Sequence, residues 1–134
     1  MKICIVSLGE RLESKVSPRF GRAPFFLILN DEGKIEEVLR NPGVGAMRGA
    51  GVAAAQEISS RRVKILISGN VGPNAFGALD AAGIDVFTPQ VGTTVERAFE
   101  DWKNNNLPQL EKPTAPGRFG RGPGLGQGRR RRGR

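Results

Sequence analysis

The chain has 134 residues, with 21 lysines and arginines against 13 acidic residues, one cysteine and no histidine. That length holds one domain around a single core, and no stretch is apolar enough for long enough to span a membrane. Lacking histidine, the chain has neither the commonest general base nor the usual zinc ligand, and Cys4 alone closes no internal disulfide and no zinc or cluster site.

Residues 2–6, Lys2-Ile3-Cys4-Ile5-Val6, form a short continuous apolar run, as in a central strand covered on both faces. No signal-peptide apolar region precedes it, so the expected location is the cytoplasm. Residues 9–22 are polar and read as a long loop closed by Pro18 and Gly21. Phe25-Phe26-Leu27-Ile28-Leu29 is a second strand. The turn Asp31-Glu32-Gly33 leads into a third over 34–39, which makes an antiparallel hairpin.

After the break at Asn41-Pro42-Gly43, residues 49–61 predict an alanine-rich helix with Val52, Ala55 and Ile58 on one face. A buried strand follows over 63–67. Pro73 then suits the first turn of a helix running to Ala82, which Gly83 ends. Residues 84–87 make the last expected strand. Thr93-Thr94-Val95-Glu96 has capping-box spacing, and Val95, Ala98, Phe99 and Trp102 recur as one helical stripe. The order β-β-β-α-β-α-β-α predicts an α/β domain over 1–112, with a mixed sheet of about five strands flanked by helices.

The tail, 113–134, is Gly, Arg and Pro with almost nothing apolar and is expected to be disordered. It holds seven of the basic residues and no acidic one, which leaves 14 basic against 13 acidic residues in the remainder. The domain is close to neutral and the tail is the basic object. Arg129, Arg130, Arg131 and Arg132 are its densest run. They are candidates for non-specific attraction to nucleic-acid phosphates, or for docking to a partner. Phe119 alone gives little base stacking.

Three glycine-punctuated loops stand out: Ser17-Pro18-Arg19-Phe20-Gly21-Arg22-Ala23-Pro24, then Arg48-Gly49-Ala50-Gly51, then Ser68-Gly69-Asn70-Val71-Gly72-Pro73-Asn74-Ala75-Phe76. Backbone-rich loops beside arginines suit holding an anion and not cutting covalent bonds. None has the spacing or the Gly-Lys-Ser/Thr ending of a P-loop, so an NTPase reading fails. In this order and spacing the loops resemble the dinitrogenase iron–molybdenum cofactor-binding family, which includes NifX, the C-terminal part of NifB and many small stand-alone proteins. The resemblance covers Met1 to about Leu110. It implies a ribonuclease-H-like fold without nuclease activity, and indeed the first strand carries no acidic residue for magnesium. It also implies a non-enzymatic role in binding or delivering an iron–sulfur-type or iron–molybdenum-type cluster. The chain departs from the family pattern at Ala46-Met47-Arg48, where many members carry a histidine.

Each candidate residue has a structural alternative. Cys4 is either a thiolate ligand, completed by a second copy or a partner, or a small apolar side chain in a buried strand. Arg19 and Arg22 either grip an anion through guanidinium forks or flank a loop fixed by Phe20 packing inward. Met47 offers a soft thioether, and Arg48 charge and hydrogen bonds. Gly49 and Gly51, with Gly69, Asn70, Gly72 and Asn74, either aim backbone N–H groups at a ligand or serve turn geometry alone. A carrier of this kind implies transient cluster binding and cluster-assembly partners such as an ATPase, with the chain a monomer or weak dimer. The competing reading is an interaction module that holds no cluster.

Overall fold

The computed structural model describes residues 1–41 and 50–113. The elements run β1 (Ile3–Ser7), β2 (Phe25–Leu29), β3 (Ile35–Arg40), α1 (Ala50–Ser59), β4 (Ile65–Ile67), α2 (Pro73–Ala81), β5 (Asp85–Phe87), α3 (Val95–Lys103) and β6 (Gln109–Leu110). The expected order is thus observed, with one short strand added at the end. The Gly/Arg-rich tail from residue 114, including Arg129–Arg132, lies outside the described residues.

The six strands form one mixed sheet in the order β3-β2-β1-β4-β5-β6. Its centre is parallel: β1 pairs with β4, and β4 with β5. The pairs β1–β2, β2–β3 and β5–β6 are antiparallel. β6 escaped the sequence reading because two half-buried residues, one of them Gln, give no periodic signal. Every residue of β1 is fully buried, so both faces of this strand are covered. α1 and α2, which follow one another in the crossovers between the parallel strands, pack against each other. α3 packs against β1.

β3 is the outer strand and alternates half-buried with exposed residues. Its half-buried Glu37 accepts a hydrogen bond from Arg61 at 2.6 Å, and Glu57 Oε2 accepts two more from the same guanidinium. The β2–β3 turn is tied by Asn30, whose Oδ1 accepts from the amides of Glu32 and Lys34. Gly33 within it has φ +83°, and an added Cβ would lie 2.8 Å from the Phe99 ring, so both backbone and space require glycine. The α3 stripe holds as expected, with Phe99 and Trp102 ring centroids 5.8 Å apart. Its cap differs by one residue from the expected box: Thr94 is the N-cap and accepts from the Arg97 amide. The hydroxyl of Thr93 donates to the Gln90 carbonyl instead.

Cys4 sits in the middle of β1, paired with Ile28 on one side and Leu66 on the other, and is fully buried. Burial raises its thiol pKa far above the usual range, so the thiolate is disfavoured. This is the environment of the packing alternative, a small side chain enclosed in the core. Among the described residues no group of three His, Cys, Asp or Glu side chains could hold a metal ion. No described helix is long and apolar enough to cross a membrane.

The buried thiol sets a pH signature. The unfolded thiol ionises above about pH 8.5 while the folded one keeps its proton. Stability is therefore full below that pH and falls as pH rises, by up to about 1.4 kcal/mol per unit. Cys4→Ala costs core packing but lacks this slope. Urea unfolding at pH 7.5 and 9.5 should show the gap between wild type and variant narrowing at the higher pH by about 1 kcal/mol. An unchanged gap would mean that the native thiol ionises freely.

Candidate anion-binding loop cluster

The chain leaves β1 through a short excursion and comes straight back. Leu8 donates to the Lys15 carbonyl, and Ser7 pairs with Val16 in an antiparallel bridge. The Ser17 amide then bonds the Val6 carbonyl, which returns the chain to the end of the sheet. There Ser17 Oγ donates to the Arg19 carbonyl and accepts from the Arg19 amide, a local turn that sets the path of the next residues. Phe20 is the anchor: it is 1% exposed and stacks on Phe26 with ring centroids 5.9 Å apart and planes 11° apart. On either side of it Arg19 and Arg22 are exposed. An inward phenylalanine thus stands between two outward arginines, and the loop is fixed by that packing.

This loop is bound to the one that follows β4. The Gly69 amide donates to the Ser17 carbonyl at 3.1 Å, and the Asn70 amide to the Pro18 carbonyl at 2.8 Å. The Phe20 amide donates back to the Asn70 carbonyl at 2.9 Å, so Arg19 and Asn70 pair as a parallel bridge. A Cβ at Gly69 would lie 2.4 Å from the Pro18 oxygen. Glycine is required here by close approach, as its φ is not positive. A third segment joins at the start of α1. A Cβ at Gly21 would meet the Gly51 amide nitrogen at 3.0 Å, and one at Gly51 would meet the Ala75 Cβ at 2.8 Å. The first and third glycine loops and the start of α1 therefore converge at the C-terminal ends of the parallel strands, where open α/β sheets bind ligands.

The sequence reading missed Asn41. It is 4% exposed, and its Nδ2 donates to the carbonyls of Gly21 and Ala23 while its amide donates to the Pro24 carbonyl. It ties the end of β3 to the first loop. A buried Asn directly after a strand and before Pro42-Gly43 was the available signal, and it also read as ordinary turn composition.

The remaining candidates divide. Met47, Arg48 and Gly49 lie outside the described residues. Gly51 lies in the first turn of α1 and is half-buried against Ala75. Gly72 is the N-cap of α2 in extended backbone (φ −72°, ψ 173°), with open space around it, so neither conformation nor room demands glycine. Asn74 is exposed in the first turn of α2.

Electrostatically, no side chain caps α2, and neither α1 nor α2 has an acidic residue in its first turn. The first amides of a helix lack intrahelical acceptors, and the dipole makes that end positive. The Gly51–Ala75 contact puts the starts of the two helices side by side. With the exposed Arg19 and Arg22 in the adjoining loop, this end of the sheet offers positive charge and helix N–H groups.

The sequence matches the dinitrogenase iron-molybdenum cofactor family over residues 1–105. The chain belongs to that family. An uncharacterized protein of Methanocaldococcus jannaschii is 30% identical over 115 residues, covering 83% of this chain and 97% of that one. The apo form of the orange protein from Desulfovibrio gigas has the same fold, with TM-score 0.80 and 34% identity over 85% of this chain and 96% of that one. A Thermotoga protein provisionally assigned as NifB matches with TM-score 0.74 and 37% identity, over 87% and 98% of the two chains. Membership associates the chain with metallocluster binding or biosynthesis.

The two loop glycines give opposite expectations. Gly69→Ala should destabilise by about 2–3 kcal/mol, because the Pro18 carbonyl must move. Gly72→Asp should stabilise by about 0.5–1 kcal/mol, by capping α2 and meeting its dipole. Denaturant midpoints of both variants check this; equal effects would mean that the loop–loop contact is loose.

Proposed function

We propose that the protein binds and delivers an anionic iron–sulfur-type cluster, similar to the iron-molybdenum cofactor, without enzymatic turnover. The cluster is cargo. It would be held in the cleft formed by residues 17–24, 69–74 and the start of α1, by charge and hydrogen bonds and not by coordination to the described side chains. The observation that carries this reading is the convergence of residues 17–24, 69–74 and the start of α1 at one end of the sheet, with two exposed arginines and the uncapped start of α2. Arg19 and Arg22 would supply guanidinium donors, and the amides of the first turn of α2 would face the sulfide or oxide ligands. A site without a thiolate or imidazole ligand releases its cargo readily, as delivery to an acceptor protein requires. That a close structural relative is described in an apo form supports a removable group.

A second reading has one observation in its favour. Among the described residues no set of metal-ligating side chains is gathered. On that reading the same cleft and the basic tail engage a partner such as a cluster-assembly ATPase, and no cluster is held.

Anaerobic titration with iron and sulfide, followed by visible absorbance and bound iron per chain, separates the two. The carrier reading expects stoichiometric uptake by the wild type and by Cys4→Ala. Arg19→Ala and Gly72→Asp should each weaken uptake by about tenfold, the loss of one charge-assisted contact or the gain of one repulsion. Gly72→Asp is the sharper variant, since it is expected to raise stability while lowering uptake. Absence of uptake by the wild type would leave the interaction reading.

A further inference from the structure

Among the described residues, three buried side-chain oxygens have no hydrogen-bond partner: Ser68 Oγ, Asn70 Oδ1 and Thr88 Oγ1. They are not scattered. The Ser68 amide donates to the Phe87 carbonyl, which continues the parallel β4–β5 register by one residue and makes Ser68 and Thr88 neighbours across the strands. Pro89 has no N–H to return the next bond, so pairing stops there. Register partners on adjacent strands share a face, so both hydroxyls stand on the same side of the sheet.

That side is fixed by the rest of the ladder. Ile5 pairs with Ile67, so Val6 stands beside Ser68, and Val6 pairs with Phe26. Phe20 stacks on Phe26, and Gly21 touches α1 at Gly51. Ser68 and Thr88 thus belong to the face over which the first loop folds, at the strand ends. Asn70 is two residues beyond Ser68 in the loop leading to that helix, paired through its backbone with Arg19.

Burying a hydroxyl without a partner costs free energy that a folded protein normally recovers. Ser68 is completely buried. Valine at 88 and alanine at 68 would avoid the cost with little change of shape. Two hydroxyls can turn their protons to a common acceptor, and a turn of the Asn70 amide presents Nδ2–H in place of Oδ1. The uncapped start of α2 adds positive potential at the same end.

We propose that Ser68, Thr88 and Asn70 form an inner subsite of the loop cluster that takes one anionic acceptor atom, either a free halide or the outermost sulfide or oxide of a cluster. Only the second source rests on the carrier reading. The subsite explains why polar side chains persist where the strands end in the core, and it assigns roles to Ser68, the first residue of the third glycine loop, and to Thr88, which the sequence did not single out.

The test is crystallography of the full chain grown in bromide, with anomalous scattering recorded for wild type, Thr88→Val and Ser68→Ala. An anomalous peak against Ser68 and Thr88 in the wild type, lost in either variant, is expected. No peak, a water in its place, or a peak that persists in both variants as an adventitious ion overturns the subsite. Ligand-free calorimetry adds a second reading: Thr88→Val should raise Tm by roughly 4 °C, since an unpaired hydroxyl is removed. A fall in Tm of that size would show that the hydroxyl is already satisfied and would count against the subsite. Iron and sulfide uptake then separates the sources. At least fivefold weaker uptake by Thr88→Val identifies the cluster as the source, and equal uptake identifies a free anion. If the wild type takes up no iron, the carrier reading fails while the bromide result still decides the subsite.

Discussion

The carbonyl oxygen of Pro18 occupies the space where a side chain at residue 69 would begin, and the binding face is built outward from that contact. Because residue 69 is glycine, two loops from different strands can pair backbone to backbone, with Gly69 and Asn70 donating to the first loop and Phe20 donating back. The pairing extends the parallel part of the sheet by a short step beyond its strands. It also sets the position of Arg19 against Asn70. Phe20, stacked on Phe26, prevents the loop from lifting away. Gly21, Gly51 and Ala75 then bring α1 and α2 against the same loop at distances that larger side chains would not allow.

The consequence is a face whose polarity comes mainly from backbone. The uncapped start of α2, amides at strand ends and two exposed arginines all favour negative charge, and no acidic side chain in the first turn of α1 or α2 opposes them. The fold meanwhile withdraws its single thiol into the centre of β1, where burial keeps it protonated. Retention by charge and hydrogen bonds is weaker and more reversible than thiolate coordination. That difference bears on a protein whose family is associated with metallocluster binding or biosynthesis.

Much of this was legible in the sequence. Apolar runs, the hairpin turn and the α3 stripe set the element order, and the three glycine loops marked the family. What was not legible depended on distances between segments far apart in the chain. Gly69 and Gly72 look alike in sequence, yet one is required by a neighbouring carbonyl and the other by nothing. Asn41 reads as turn composition until its amide is seen holding two carbonyls eighteen and twenty residues away. Cys4 in an apolar run supports core packing as well as ligation, and only its pairing between Ile28 and Leu66 decides. β6 is held by its neighbour β5 and carries too few residues for a pattern of its own.

Amide NMR of the labelled chain under anaerobic addition of iron and sulfide tests the central claim most directly, because it reports where the cargo sits as well as whether it binds. The account predicts shifts or broadening centred on Arg19, Phe20, Gly69, Asn70 and the first turn of α2, with the β2–β3 turn unchanged. Perturbation centred elsewhere, or a spectrum unchanged throughout, would contradict it.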